Sequence, residues 1–100
     1  MLLIRRVQGA SMQPVLAEGQ IIIAWSRPRW LTAGDVVIIR HGDVEKVKRI
    51  GRLRSGEAFV TGDNLDASTD SRQFGWLPRR QIIAKVWWPR LHRSSYTQST

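Results

Sequence analysis

Apolar residues in this chain fall in short, β-branched runs broken by Gly, Pro and Asp, and no stretch sustains a helical period. Leu3 to Gly9 predicts a first strand, and Met12 to Leu16 a single helical turn. Glu18-Gly19 turns the chain into Ile21-Ile22-Ile23-Ala24-Trp25, a β-branched strand. That strand stops before Pro28, which has no N–H for a ladder. After the turn Ala33-Gly34-Asp35, a strand over Val36–Arg40 and one over Val44–Ile50 flank His41-Gly42-Asp43, a hairpin connection. Gly51 and the Arg54-Ser55-Gly56 turn bound a further short strand, and Glu57–Thr61 is the next. Gly62 to Gly75 is polar and rich in turn residues, with no helical pattern. Pro78 to Gln81 suits a helical turn, and Ile82–Trp88 is a last strand stopped by Pro89. Many short strands with very little helix predict a mainly β domain, with antiparallel sheets wrapped into a partly open barrel.

The length of 100 residues fits one domain, taken as residues 1–90, with 91–100 as a flexible tail. An apolar content of 42% is enough for a real core. The absence of cysteine excludes disulfides, thiol catalysis and cysteine-based metal sites. His41 and His92 lie among polar residues and read as surface groups, so neither a histidine base nor a metal site is expected. The net charge of +8 suits an anionic partner, yet the arginines are scattered and no nucleic-acid-binding motif is present, so no nucleic-acid partner is expected. Arg5-Arg6 closes the opening apolar run after Ile4. That run is too short for a membrane span or a secretory signal, and a cytoplasmic chain is expected. The five tryptophans, Trp25, Trp30, Trp76, Trp87 and Trp88, read as core or cleft lining; the other reading is peripheral contact with a membrane, aided by the basic side chains.

Candidate chemistry begins at Gly9-Ala10-Ser11-Met12-Gln13-Pro14, where small residues and a proline set a serine at a tight corner. Taken alone this is a turn. A serine hydroxyl becomes a useful nucleophile only when a neighbour takes its proton. Lys46, Lys48 and Lys85 are the only lysines. Bringing a lysine from about 10.4 to the neutral range asks for roughly 4 kcal/mol of bias against the ammonium, which burial supplies. Lys48, beside Val47 and Ile50 on a predicted core strand, is the lysine with that prospect; the other reading is a solvent-facing strand residue. The loop Gly62–Arg72 is rich in Asp, Asn and Ser and reads as a self-bonded turn or a calcium loop, although its acidic spacing does not match an EF-hand.

Four segments in order resemble the signal peptidase I family (S26) of Ser-Lys endopeptidases, over about residues 5–88. They are Gly9–Leu16, Gly34-Asp35-Val36-Val37, Lys48-Arg49-Ile50, and Gly62-Asp63-Asn64 through Ser68, Asp70-Ser71-Arg72 and Phe74-Gly75. The resemblance implies Ser11 as nucleophile, Lys48 as general base, and Ser68 as the residue orienting Lys48. It also implies that the Ser11 N–H forms part of an oxyanion hole. Met12 is expected beside the nucleophile near the substrate cleft. Arg49, Asp63, Asp70 and Arg72 look like supporting ion pairs. No cofactor is implied.

The chain departs from the family in three ways. Gly9 stands where many members have a serine that completes the oxyanion hole. Lys46 falls on the same sheet face as Lys48, where a like charge lowers the Lys48 pKa further. The chain is also expected to lack the membrane anchor and the large second domain of bacterial signal peptidases, since only about ten residues separate Lys48-Arg49 from Val60-Thr61. That resembles the small soluble branch that matures nickel-containing superoxide dismutase by removing an N-terminal leader. The expected partner is such a protein precursor. Alternatives are a signal-peptidase-like enzyme meeting the membrane peripherally, a self-cleaving regulatory domain of the repressor type, and a non-enzymatic basic binding module.

Overall fold

A computed structural model describes residues 1–67 and 69–91. They form one seven-stranded antiparallel sheet: β1 (Leu2–Arg6), β2 (Ile21–Ser26), β3 (Val36–His41), β4 (Val44–Arg54), β5 (Glu57–Thr61), β6 (Leu77–Pro78) and β7 (Ile82–Trp88), in the spatial order β1-β2-β7-β3-β4-β5-β6. The sheet has two edges, β1 and β6, and does not close on itself. The expected set of sheets wrapped into a partly open barrel is therefore corrected to one open sheet. Its ends stay apart because β6 is only two residues long and offers almost no ladder. Of the expected tail, residues 92–100 lie outside the described residues.

Strand β3 shows why the fold is organised as it is. Val36 and Ile38 enter one core cluster with Val7, Met12, Leu16, Ile22, Ala24 and Ala84. Val37 and Ile39 point to the other face and enter a second cluster with Ile50, Ala58, Val60, Leu77 and Ile82. The four consecutive apolar residues Val36–Ile39 are thus buried on both faces, as an unbroken β-branched run requires, and only Arg40 and His41 at the end of the strand leave the core. Gly51 does not end a strand as expected. β4 continues through it as a bulge, with Ile50 opposite Val60 and Arg52 opposite Phe59.

The segment between β1 and β2 is a closed loop. Its base is tied where the Val7 N–H donates to the Gln20 carbonyl (2.8 Å) and the Gly19 N–H to the Val7 carbonyl (2.7 Å). Its inside is filled by Met12 and Leu16, both fully buried in the first cluster. The expected turn over Met12–Leu16 forms, with the Leu16 N–H donating to the Met12 carbonyl at 2.8 Å. Two short helical elements follow β5, a 3-10 turn at Leu65–Ala67 and α1 at Ser71–Phe74. α1 is held by a capping box in which Asp70 caps the N-terminus and Gln73 reaches back to the Asp70 N–H (2.9 Å). Another 3-10 turn at Arg79–Gln81 matches the turn expected after Pro78.

The tryptophans correct the expectation of core packing, although Trp25 and Trp87 do line a surface groove. Trp25, Trp30, Trp87 and Trp88 are exposed, and Trp76 alone is half-buried, edge-on to Phe59 and under the guanidinium of Arg54. The core is filled by aliphatic side chains, which bring no indole N–H groups to satisfy. His41, read as a surface residue, is half-buried and stacks on Phe74 with ring centroids 4.2 Å apart. His92 lies outside the described residues.

Leu16 holds the closed loop to the sheet through burial alone. Leu16→Ala is expected to cost about 2–5 kcal/mol in chemical denaturation, the range for emptying a fully buried leucine site.

Candidate active site

Separate pieces of chain, among them Ile38 of β3 and Arg5 and Arg6 of β1, meet at one cleft of about 660 Å³. The closed loop supplies Gln8, Gly9, Ala10 and Ser11, β4 supplies Val44 to Lys48, and the segment after β5 supplies Ala67 and Thr69. The ladder from β4 to β5 begins only at Arg49, so the half of β4 from Val44 to Lys48 runs on past β5 and borders the cleft. Ser11 and Lys48, the two residues singled out for chemistry, therefore line the same cavity.

Ser11 is half-buried at the corner leaving the closed loop's first arm. Next to it Met12 is fully buried. Met12, expected to pack beside the nucleophile near the cleft, has its side chain anchored in the first core cluster. The Ser11 carbonyl accepts a 2.7 Å hydrogen bond from the Asn64 N–H, which ties the turn to the loop after β5. Gly9, also in the cleft wall, has φ 80°. Nothing lies within 4 Å of where a Cβ would be, so backbone conformation rather than crowding favours glycine; a serine there would carry strain of about 1–2 kcal/mol.

Lys48 is almost fully buried on β4, opposite Val37. Burial pushes its pKa down; the Asp70 carboxylate opposes this, while the charges of Lys46 and Arg72 add to it. The effect foreseen for Lys46 is present. Lys46 itself stands over the Phe74 ring at 5.8 Å. Lys85 is engaged elsewhere, in an ion pair with the buried Asp35 at 3.2 Å. Ser68, expected to orient Lys48, lies outside the described residues.

The four charged residues expected in support form two pairs. Arg49, fully buried beside Lys48, donates Nε and Nη2 to the two carboxylate oxygens of Asp63, both at 2.8 Å, and Nη1 to the Gly34 carbonyl at 2.8 Å. Asp70, also fully buried, accepts from Nε and Nη2 of Arg72 at 2.9 Å each and from the N–H groups of Gly62 (2.8 Å) and Arg72 (3.0 Å). Ser71 Oγ accepts from the Val60 N–H at 2.8 Å, joining α1 to β5. The loop from Gly62 is thus pinned at both ends. Among the described residues no group of three or more His, Cys, Asp or Glu could hold a metal ion, so the calcium-loop reading gains no support.

Several site residues went unread in the sequence. The Asp70-x-x-Gln73 spacing is a capping-box signature and was available to find α1. Glu45, on the cleft wall, is held below the usual carboxylate range by a hydrogen bond from Arg5, with Arg40 adding to the effect. Those partners sit 40 and 5 residues away, and no local pattern signals the first.

The family model "Signal peptidase, peptidase S26" matches residues 42–90, a range that holds Lys48, Arg49, Asp63, Asp70 and Arg72; Ser11 lies before it. Over 82 residues, 82% of this chain, the sequence is 32% identical to the mitochondrial inner membrane protease subunit 1 of Saccharomyces cerevisiae. The similarity spans 37% of that protein's length.

Removing the Asp63 carboxylate would leave the Arg49 guanidinium buried without its bidentate partner. Asp63→Ala is expected to destabilise by roughly 3–5 kcal/mol in thermal or urea unfolding, well beyond an exposed-pair deletion such as Glu57→Ala.

Proposed function

We propose, for a chain that belongs to the signal peptidase family (peptidase S26), that it is a serine endopeptidase working through a Ser11–Lys48 dyad and cleaving leader peptides. The observation that carries the reading is the meeting of Ser11 with a lysine whose burial favours the neutral amine, on the wall of one open cleft. In this mechanism the neutral Lys48 amine takes the proton of Ser11 Oγ as the oxygen attacks the scissile carbonyl. The Ser11 N–H donates to the developing oxyanion. The Lys48 ammonium then protonates the departing amine, and a water deprotonated by Lys48 releases the acyl group from Ser11. Ser68 orients Lys48, as the family resemblance implies. Arg49–Asp63 acts as a positioning pair that ties the loop to β4, the Asn64 N–H ties the loop to the Ser11 turn, and Asp70–Arg72 braces the loop within itself.

An extended peptide suits this cleft. The half of β4 that runs past β5 gives a strand border along which a substrate backbone can pair, bringing its carbonyl toward Ser11. For the substrate itself we propose the precursor of a nickel-containing superoxide dismutase. Support comes from the direct β4–β5 hairpin, turned at Ser55-Gly56. No second domain is inserted there, as in the small branch the sequence resembles.

Incubation of the purified chain with such a precursor, with the new N-terminus read by mass spectrometry, tests both levels. Cleavage at the leader junction is expected, with Ser11→Ala and Lys48→Ala each slower by at least about 10³-fold. Undiminished processing by either variant would refute the dyad and favour a basic binding module. An intact precursor beside a cleaved Ala-x-Ala signal peptide would replace the substrate and keep the enzyme.

The pH profile supplies a separate check. Only neutral Lys48 is a base, so activity rises with pH as its ammonium loses a proton. Lys46→Ala removes a charge that lowers the Lys48 pKa and is expected to move the acidic limb of kcat/KM to higher pH. The lowered pKa also marks stability. The unfolded chain binds the Lys48 proton more tightly than the folded one, so folding stability rises with pH between the lowered value and the ordinary 10.5. Lys48→Met is expected to remove that slope in urea titrations taken across the alkaline range.

A further inference from the structure

The sheet joins the strands that lead to the dyad only by a long route. β1 runs into the Ser11 turn and β4 carries Lys48, with β2, β7 and β3 between them. The register shifts twice on the way, between Ile23 and Ala24 and between Ile38 and Ile39. Such shifts bend strands, so the ladder alone fixes the gap between β1 and β4 poorly. β1 is also an edge, paired with β2 alone. The base of the closed loop is tied back to Gln20, the residue before β2. The first cluster packs Leu3 and Val7 together with Ile38 and Val47, but apolar contact is non-directional.

A direct contact spans the gap. Arg5 on β1 donates Nε to Glu45 Oε1 at 2.8 Å and Nη2 to Oε2 at 3.4 Å. Arg5 stands beside Ile22 in the β1–β2 register, and Glu45 lies two residues before Val47, which stands beside Ile38. Ile22 and Ile38 belong to the first cluster, so both charged side chains rise from the face that carries it and meet across it. Both line the cleft. Arg40, the cross-strand partner of Glu45, donates Nη2 to Oε2 at 3.3 Å and steadies the carboxylate. Two N–H groups aimed at two oxygens give this contact the direction that aliphatic packing lacks. Arg5 precedes Ser11 by six residues, and Glu45 precedes Lys48 by three. The Ser11 turn is therefore held from two sides, by Asn64 at its carbonyl and by Arg5 on the strand that enters it.

We infer that Arg5 and Glu45 are positioning residues for the proposed Ser11–Lys48 dyad, on which this reading rests: their ion pair straps the nucleophile arm to the base strand and sets the approach of Ser11 to Lys48. Neither residue makes or breaks a bond. A partly exposed pair adds little to overall stability. Its effect is on geometry, where a misplacement of about 1 Å can cost two orders of magnitude in rate.

The test joins kinetics of the full chain, on whichever of the precursor and the Ala-x-Ala signal peptide it cleaves, with amide hydrogen exchange. Arg5→Ala and Glu45→Ala are each expected to lower kcat roughly tenfold, with KM within about twofold of the parent. The double variant should be no slower than either single one, because all three lose the same contact. Arg5→Lys keeps the charge and should recover most of the rate. Melting temperatures should stay near the parent's. The acidic limb of the pH profile should stay in place, since the charges acting on Lys48 are those of Asp70, Lys46 and Arg72. Arg54→Ala breaks an exposed pair outside the cleft and should leave kcat unchanged. Exchange over Gln8–Ser11 should quicken in Arg5→Ala while β3 keeps its protection. Full kcat in both single variants, a change confined to KM, or unaltered exchange over Gln8–Ser11 would overturn the inference. A parent that cuts neither substrate would sink the dyad reading instead; quickened exchange in Arg5→Ala would then still support the strap, and unaltered exchange would overturn it.

Discussion

The Arg49–Asp63 pair is the contact through which the cleft is assembled. Arg49 is the residue after the candidate base, on a strand fixed on one side by β3 and on the other by β5. Its guanidinium spans to Asp63 at the start of the polar loop and to the carbonyl of Gly34 in the turn before β3. Asn64, next to Asp63, holds the Ser11 carbonyl. Three segments distant in sequence are thereby located relative to Lys48 by one buried cation and its neighbours. A fully buried guanidinium is costly unless its donors are met, so the pair acts as a constraint on geometry more than as a source of net stability. The loop has few alternative positions that would leave Arg49 satisfied.

The same loop shapes the electrostatics. Asp70 is buried and holds Arg72 and two backbone N–H groups, and its charge opposes the burial that lowers the Lys48 pKa. Lys46 and Arg72 act in the other direction. The protonation state of Lys48 is therefore set by a balance among groups on two separate pieces of chain. Desolvation is the largest contribution, and it depends on the sheet keeping Lys48 out of water.

The apolar pattern made most strands legible. β2, β3, β5 and β7 were readable as β-branched runs between Gly, Pro and Asp, and each lies within about two residues of its expected bounds. β6 was not readable, because a two-residue strand has no period. Gly51 misled because a glycine reads alike as a break or as a bulge, and only the pairing of β4 with β5 distinguishes them. Met12 was placed beside the nucleophile by the resemblance, and only the packing shows that its side chain is committed to the core. In a tight turn, successive side chains diverge, and the larger one took the core. The tryptophans misled because size and aromaticity argue for burial, while strand alternation turned Trp25 outward.

By itself the sequence determined the β class, the pairing of a serine with one lysine as the chemistry to look for, and the exclusion of cysteine and thiol routes. Local residue types and their spacing carry these, and the family resemblance assigned the roles. Only tertiary structure decided that the sheet stays open, that Lys48 is buried enough to favour its neutral amine, that Gly9 occupies a backbone region suited to glycine, and that Trp25 and Trp87 are left exposed. Each of these depends on which surfaces meet across long sequence separations. A periodic pattern names the side of a strand that is apolar, but it does not say whether anything is there to cover it.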